Sequence, residues 1–357
     1  MRSAVLGRSL SFAAAALFSG LLLPAPCLHA QEAPTPDGPP PMSNAPAQQE
    51  QHGDPAETIK VNVNLVNVYF SVRDKNGFVT GLDKNSCQIA EDKNAQTIKR
   101  LTQEKNLPLT IGILLDTSGS QTHVLPLEQE SGARFLHEVL TPKDEAFLIS
   151  FDVNVDLLSD YTSNSRELER AINKASINSA SSSAGVPGIG GGPFPTGNPR
   201  GTLLYDAVYL AAHDKLQSQT GRKVIVMLTD GGEQGSQETL KSAVEAAQKS
   251  NSIVYVILIA DRGFGGYGGM YTGDRDMQQL TSQTGGRVIN VGNNGRRLED
   301  AFDQIQDELR TQYLLSYTPT DKAANGKYRK IEIDCGKGTN VQARKGYYAV
   351  SGDADSE

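Results

Sequence analysis

The sequence contains few of the side chains with which most enzymes move protons or break bonds. Only five of its 357 residues are histidines, and they are scattered without the spacing of metal ligands or of a general base. It has neither a Gly-x-Ser-x-Gly nucleophile elbow nor a Walker loop for phosphate binding. We therefore expect that the protein is not an enzyme.

Basic side chains and long apolar runs are scarce as well. Lys and Arg number 34 against 41 Asp and Glu, which gives a formal net charge of −7, and the basic residues form no cluster. An acidic chain without a basic patch is a poor candidate for nucleic-acid binding. Beyond the first thirty residues, no apolar run reaches the length that spans a bilayer. We expect no nucleic-acid partner and no transmembrane segment in the mature chain.

Residues 1–30 have the features of a secretory signal peptide. Arg2 and Arg8 form a basic start, residues 12–23 are apolar but too few to cross a bilayer, and residues 28–30 offer a small-residue cleavage site. The protein is therefore expected to be exported, to the periplasm or outside the cell. Loss of this segment removes two arginines and no acid, so the net charge changes from −7 to −9.

Three cysteines are present, and the first lies in the signal peptide. Cys27 follows Pro-Ala-Pro, a poor match to a lipoprotein processing site, so we do not expect a lipid anchor there. Cleavage leaves Cys87 and Cys335, and an even pair in an oxidising compartment favours a disulfide. Two unpaired buried thiols in separate strands are the alternative.

The composition changes twice before the middle of the chain. Residues 31–56 are rich in Pro, Gln, Ala and Glu and predict a disordered linker. Residues 57–105 alternate apolar and polar side chains and predict a small all-β module. The apolar side chains change from one face of the strand to the other at residues 65–66, which indicates either a β-bulge or a strand buried on both sides. Residues 74–77 are expected to form a hairpin turn.

Residues 106–312 alternate apolar strands with amphipathic helices, which predicts an α/β fold with a doubly wound, mostly parallel sheet. The edge strand around residues 157–158 is expected to be antiparallel. Strands are expected at 111–115, 145–151, 224–230, 253–259 and 287–291. Helices are expected at 127–140, 165–174, 202–216, 236–248, 274–283 and 298–312.

Three polar side chains follow the first buried strand at alternate positions: Asp116, Ser118 and Ser120. Ligands of open α/β sheets bind at the carboxyl ends of the strands. A carboxylate and two hydroxyls are hard oxygen donors, which suit Mg²⁺, Ca²⁺ or Mn²⁺ better than zinc or copper. An ordinary turn is the alternative, because Asp, Ser and Gly are common turn residues.

Two later segments favour the metal site. Gly201-Thr202 is expected to open a helix, and a second buried strand ends in Thr229-Asp230-Gly231. Together with the first segment, this order resembles the metal-ion-dependent adhesion site of von Willebrand factor type A domains, over residues 107–312.

The resemblance implies a Rossmann-like type A domain that holds a divalent cation, with Mg²⁺ expected first and Ca²⁺ or Mn²⁺ as alternatives. The implied ligands are Asp116, Ser118, Ser120, Thr202 and Asp230. In that family an open position on the ion accepts an Asp or Glu carboxylate from a protein partner. The implied function is therefore metal-dependent adhesion or protein–protein interaction.

The flanking segments resemble a bacterial von Willebrand factor type A-related family. Val-Thr-Gly-Leu-Asp-Lys-Asn-Ser, followed by Glu-Asp-Lys-Asn, is similar to the β-module that precedes the type A domain there. Cys87 stands where that pattern carries an aromatic or aliphatic residue, which favours a bond specific to this chain, to Cys335. Residues 313–350 predict three short strands that pack with the N-terminal module, and residues 351–357 form a tail.

Two other function classes remain open. A structural scaffold of the cell envelope would need no metal. A metal-dependent hydrolase is less favoured, because phosphatases with an aspartyl nucleophile carry a second acid two residues later, where this chain has Ser118. The glycine-rich loops 178–200 and 262–272 are expected at the same sheet edge, either as filler or as partner contacts.

Overall fold

The computed structural model describes residues 65–104, 107–177, 201–259 and 272–349. The compact unit that contains them runs from Val61 to Glu357. The expected signal peptide (1–30), linker (31–56), loop 178–200, tail 351–357 and nearly all of loop 262–272 lie outside the described residues, as does the start of the N-terminal β-module.

The described ranges contain fifteen strands and six α-helices, numbered in chain order. The strands are β1 (Val66–Asp74), β2 (Gly77–Phe78), β3 (Gln88–Glu91), β4 (Asn94–Gln96), β5 (Ile98–Gln103), β6 (Leu109–Asp116), β7 (Glu145–Phe151), β8 (Val155–Thr162), β9 (Arg222–Thr229), β10 (Ser252–Leu258), β11 (Val288–Asn290), β12 (Tyr313–Tyr317), β13 (Tyr328–Asp334), β14 (Asn340–Ala343) and β15 (Gly346–Tyr348). The helices are α1 (Leu125–Val139), α2 (Ser165–Ile172), α3 (Leu204–Tyr209), α4 (Leu240–Lys249), α5 (Thr272–Thr284) and α6 (Gly295–Thr311).

A six-stranded sheet in the order β11-β10-β9-β6-β7-β8 forms the centre of the fold. All its pairings are parallel except that of β7 with the edge strand β8. Every residue of β6, β9 and β10 is buried, as expected for strands covered on both faces. One face packs against α1, α2 and α6, and the other against α3, α4 and α5. The predicted mixed α/β fold with a mostly parallel sheet is confirmed.

The third helix begins later than the sequence indicates. Thr202 is not helical, because its backbone exchanges two hydrogen bonds with Gln234 (N···O 2.9 and 3.0 Å) in an isolated antiparallel bridge. Glu233 Oε2 then accepts the backbone N–H groups of Leu204 (3.0 Å) and Tyr205 (3.2 Å), so that a carboxylate caps the start of α3. The helix continues as a π-helix over residues 210–216.

The fourth helix also begins later, at Leu240 and not at Ser236. Thr239 and Ser242 form a capping box, which places the helix start after residue 239. A residue of α3 holds the turn before this helix, because the carboxylate of Asp206 accepts the backbone N–H groups of residues 237 (3.1 Å) and 238 (2.7 Å). Asp206 therefore fixes a loop and does not hydrogen-bond to a candidate metal ligand.

The N- and C-terminal segments are interleaved in two further sheets. One has the order β14-β1-β12-β5, with β2 paired to β1, and the other has the order β15-β13-β3-β4. Their apolar residues share one core cluster. A disulfide joins Cys87 to Cys335, with the sulfur atoms 2.08 Å apart. The short strand β15 is not predicted by the sequence pattern.

A buried polar group holds these sheets together. Arg329 Nη1 lies 3.1 Å from Glu91 Oε1, and both side chains are about 95 % buried (5 % and 3 % exposed). The hydroxyls of Tyr317 (2.6 Å) and Tyr347 (2.9 Å) donate to Glu91 Oε2. Burial and the hydrogen bond to this carboxylate raise the pKa of Tyr347 to about 12. Because Glu91 and Arg329 pair only in the fold, this group specifies how β3 and β13 meet.

A second buried carboxylate connects these segments to the α/β core. Glu308 on α6 accepts hydrogen bonds from Ser71 of β1 and from Tyr255 of β10, both at 3.0 Å. Arg287 lies 3.1 Å from the same carboxylate. None of the helices in the described ranges is long and apolar enough to span a bilayer.

Candidate metal centre

Asp116 lies at the carboxyl end of β6, the central strand, and is fully buried. The Thr229 hydroxyl donates to Asp116 Oδ2 (2.6 Å), and the Ser118 backbone N–H donates to Oδ1 (3.0 Å). Thr229 is itself positioned, because its Oγ1 accepts the N–H of Gly231 (3.0 Å). A carboxylate oxygen can accept more than one hydrogen bond or ligand. Asp116 is therefore oriented but retains capacity for a cation.

The two serine hydroxyls converge. The Oγ atoms of Ser118 and Ser120 hydrogen-bond to each other at 3.0 Å. Two oxygens that bind Mg²⁺ at right angles, each about 2.1 Å from the ion, would be separated by about 3 Å. Ser118 is buried and Ser120 is half-buried. The loop after β6 therefore holds two hydroxyl oxygens at the spacing of neighbouring ligands.

Contacts between loops position Thr202 at the same edge of the sheet. Its backbone bridge to Gln234 fastens it to the loop after β9. The backbone carbonyl of Asp152 accepts the N–H of the next residue, Leu203 (2.8 Å), and Asp152 Oδ2 accepts the hydroxyl of Thr117 (2.8 Å). Asp152, directly after β7, thus joins the loop of the first candidate ligands to the loop of Thr202.

Asp230 follows β9, the strand next to β6, and is half-buried. Its Oδ1 accepts the backbone N–H of Gly232 (2.9 Å), which holds the side chain against its own loop. The preceding turn requires glycine at 231, where φ is +81°. Burial, and then the charge of Asp230, raises the pKa of Asp116 to about 7. The two carboxylates therefore repel each other across the site.

The donor set fits a hard divalent cation. It comprises two carboxylates and three hydroxyls from three loops. Within the described ranges no group of three or more His, Cys, Asp or Glu side chains could hold a metal, so an ion here would depend on the hydroxyl oxygens. Ser120, Thr202 and Asp230 are half-buried, whereas Asp116 and Ser118 are buried.

Some residues of this site are not identified by the sequence motif. Asp152, which accepts the hydroxyl of Thr117, lies outside all three motif segments, whereas Thr229 belongs to the Thr-Asp-Gly segment. Glu128 on α1 is fully buried, and burial followed by the charges of Asp116 and Asp230 raises its pKa well above the usual value.

Comparisons with known proteins give distant matches only. No family model matches the chain, and no curated protein matches it. Among solved structures, the conserved hypothetical protein BatB from Bacteroides thetaiotaomicron is similar at 18% identity, over 56% of this chain and 98% of that one, with a TM-score of 0.40. The vWF domain of the type V pili tip protein Mfa5 from Porphyromonas gingivalis is similar at 12% identity, over 56% and 94%, with a TM-score of 0.41.

A third similar structure is proximal thread matrix protein 1 from the mussel byssus, solved with a zinc-occupied MIDAS motif. Its identity to this chain is 14%, over 61% of this chain and 50% of that one, with a TM-score of 0.44. These likenesses are remote, and the Rossmann-like α/β class follows from the strand order and helix layers described above.

Proposed function

We propose that the chain is an exported protein related to von Willebrand factor type A domains, which binds a protein partner through a divalent cation. Mg²⁺ is the first candidate, with Ca²⁺ and Mn²⁺ as alternatives. The type A domain would comprise residues 106–312, and residues 57–105 and 313–350 would form a joint β-module. The proposed ligands are Asp116, Ser118, Ser120, Thr202 and Asp230.

The observation that supports this proposal best is a buried carboxylate beside two converging hydroxyls. Asp116 has no exposure to water and is repelled by Asp230, so its charged form is costly without a cation. The hydroxyls of Ser118 and Ser120, which hydrogen-bond to each other at 3.0 Å, would supply neutral oxygens to that cation. Such a buried acid is either protonated or compensated by a positive charge such as a bound cation.

The accessible side of the site suits recognition better than catalysis. A bound divalent ion would supply an electrophilic position for an Asp or Glu carboxylate of a partner. Ser120, Thr202 and Asp230 are each half-buried, so a bound ion held by them would be within reach of such a carboxylate.

Calorimetric titration of the purified chain with Mg²⁺, Mn²⁺ and Ca²⁺ tests the cation site. We expect saturable binding by the wild type and its loss in Asp116→Ala. Asp307→Ala is the matched control, because Asp307 is an exposed acid on α6, and it should bind as the wild type does. Equal binding by wild type and Asp116→Ala would contradict the assignment of the site.

Partner binding needs a second experiment. Proteins captured by the immobilised chain are compared in Mg²⁺ and in EDTA, for the wild type and for Asp116→Ala. A partner that is lost both with EDTA and with the variant supports carboxylate recognition through the ion. Capture that is unaffected by either change would support the structural scaffold of the cell envelope instead.

A further inference from the structure

The main chain around Thr202 is fixed by four consecutive backbone N–H groups. Those of residues 202 and 203 donate to the carbonyls of Gln234 (2.9 Å) and Asp152 (2.8 Å). Those of residues 204 and 205 donate to Oε2 of Glu233, at 3.0 and 3.2 Å. All these acceptors lie in other loops, and none of the four bonds uses the hydroxyl of Thr202. The position of this proposed ligand is therefore set by its main chain.

Glu233 connects the segment of Thr202 with the loop that follows Asp230. Besides the N–H groups of residues 204 and 205, its Oε2 accepts the hydroxyl of Ser236 (2.8 Å), and its Oε1 accepts the Ser236 backbone N–H (3.0 Å). The hydroxyl oxygen of Ser236 also accepts the N–H of Tyr205 (3.2 Å). A carboxylate offers about four lone-pair sites, so these hydrogen bonds use the acceptor capacity of Glu233. Glu233 thus holds the two loops together.

Gly201 allows these loops to lie close together. A Cβ atom at this position would lie 3.0 Å from the carbonyl oxygen of Gln234 and 3.4 Å from Cγ1 of Val153. The Gln234 carbonyl would have to move by a few tenths of an ångström to admit it. The main chain that leads into Thr202 is therefore tightly enclosed, and the contacts of Glu233 fix the main chain on the other side of Thr202.

The rigidity of a ligand segment affects which cation binds there. Mg²⁺ requires near-ideal octahedral geometry with oxygens about 2.1 Å away, whereas Ca²⁺ accepts about six to eight oxygens at about 2.3–2.6 Å in flexible geometry. A ligand that is held by surrounding contacts keeps one position, and a loosely held ligand adapts to either ion. Loss of these contacts therefore costs Mg²⁺ more affinity than Ca²⁺.

We propose that Glu233 is a positioning residue that makes the candidate metal centre selective for Mg²⁺ over Ca²⁺. It does so by holding the main chain of Thr202 against the loop that follows Asp230. This inference rests on the proposed function, because it concerns the cation site proposed there. Glu233 follows Asp230 by three residues and lies outside the ligand motif. Once residues 204 and 205 are released, Thr202 can withdraw from the ion, which Ca²⁺ tolerates better than Mg²⁺.

Calorimetric titration of Glu233→Gln with Mg²⁺ and with Ca²⁺ tests the inference. Gln keeps the shape of the side chain, but its amide nitrogen cannot accept hydrogen bonds as the carboxylate oxygen does. The Mg²⁺ affinity should fall about 10–100-fold, as is typical when a residue that orients a metal ligand is replaced. The Ca²⁺ affinity should fall less than about 3-fold, because Ca²⁺ accepts a displaced ligand. The ratio of the two affinities separates positioning from charge, because loss of a negative charge weakens both divalent ions.

Asp206→Asn is the matched control. Asp206 also accepts two backbone N–H groups of the loop between β9 and α4, at residues 237 and 238, but none from residues 202–205. This variant should keep the wild-type ratio of affinities. Ser236→Ala is a second, uncharged perturbation, because it removes the hydroxyl that donates to Glu233. It should lower the Mg²⁺ to Ca²⁺ ratio in the same direction as Glu233→Gln.

The outcomes separate this inference from the proposed function. Saturable wild-type binding with an unchanged ratio in Glu233→Gln, or an equal loss for both ions, would overturn the positioning role and leave the cation site standing. A wild type that binds neither ion would refute the site itself. If Glu233→Gln does not fold, Ser236→Ala decides, because a lower ratio supports the inference and an unchanged one overturns it.

Hydrogen exchange in EDTA supplies a readout that needs no ion. The amides of residues 204 and 205 should exchange faster in Glu233→Gln than in the wild type, because they lose their acceptor. In Asp206→Asn they should exchange as in the wild type. Equal exchange of these two amides in all three proteins would overturn the inference.

Discussion

Replacement of Asp116 by Asn tests the buried carboxylate at the centre of the candidate site. In the metal-free folded protein, burial and then the charge of Asp230 raise the pKa of Asp116 from 3.8 to about 7. An acid whose pKa is raised by folding contributes stability below its unfolded pKa, and this contribution is lost as the pH rises through the folded value. Without divalent cations, the wild type should therefore lose stability relative to Asp116→Asn as the pH rises from 4 to 7.

The expected size follows from the shift. Each pKa unit corresponds to about 1.4 kcal/mol, so the full shift is worth about 4 kcal/mol. Part of this is already lost at pH 5, because an unfolded carboxyl with a pKa of 3.8 is mostly ionised there. Between pH 5 and pH 7.5 the remaining loss is about 2–3 kcal/mol.

The assay is urea unfolding of both proteins in EDTA at pH 5 and at pH 7.5. The difference between their free energies of unfolding should change by about 2–3 kcal/mol in favour of Asp116→Asn at the higher pH. Titrating groups that do not interact with Asp116 are common to both proteins and cancel. Addition of Mg²⁺ at pH 7.5 should stabilise the wild type alone, because a ligand that binds only the folded state stabilises it. The same difference at both pH values would refute the reasoning.

Two further predictions concern the joined β-sheets. Arg329→Met leaves Glu91 buried without its partner and should lower the free energy of unfolding by about 3–5 kcal/mol in urea, whereas Lys330→Met, in the neighbouring exposed pair, should change it little. Equal effects of the two variants would contradict the buried pair. The double variant Cys87→Ala with Cys335→Ala should lose about 2–5 kcal/mol, and dithiothreitol should produce the same loss in the wild type. Identical thermal unfolding with and without dithiothreitol would show that the bond contributes nothing.

The sequence predicts the central sheet well, because strands buried on both faces have uninterrupted apolar runs. The strand expected at residues 145–151 is observed as Glu145–Phe151, and that expected at 253–259 as Ser252–Leu258. The edge strand β8 is antiparallel, as expected. The local sequence is sufficient to predict the central strands, because a strand that is buried on both faces consists of consecutive apolar residues.

Helix starts are less predictable, because they depend on contacts that are distant in sequence. The sequence predicts a helix start at Thr202, but the backbone of Thr202 pairs with Gln234, and no local pattern reveals this bridge. Glu128 illustrates the same limit at the candidate site. A glutamate in a helix is usually exposed, so its inward position requires the fold to be known. The motif therefore predicts candidate ligands but not the polar groups behind them.

The bond between Cys87 and Cys335 also determines how the chain would respond to tension. Residues 88–334, which include the whole six-stranded sheet and all five candidate ligands, lie inside the covalent loop that this bond closes. A force that pulls on the two ends of the chain passes from one sulfur to the other and does not extend the backbone between them. Only reduction would transfer that load to the loops of the candidate metal centre. The mechanical extensibility of this protein is thus controlled by the oxidation state of one bond.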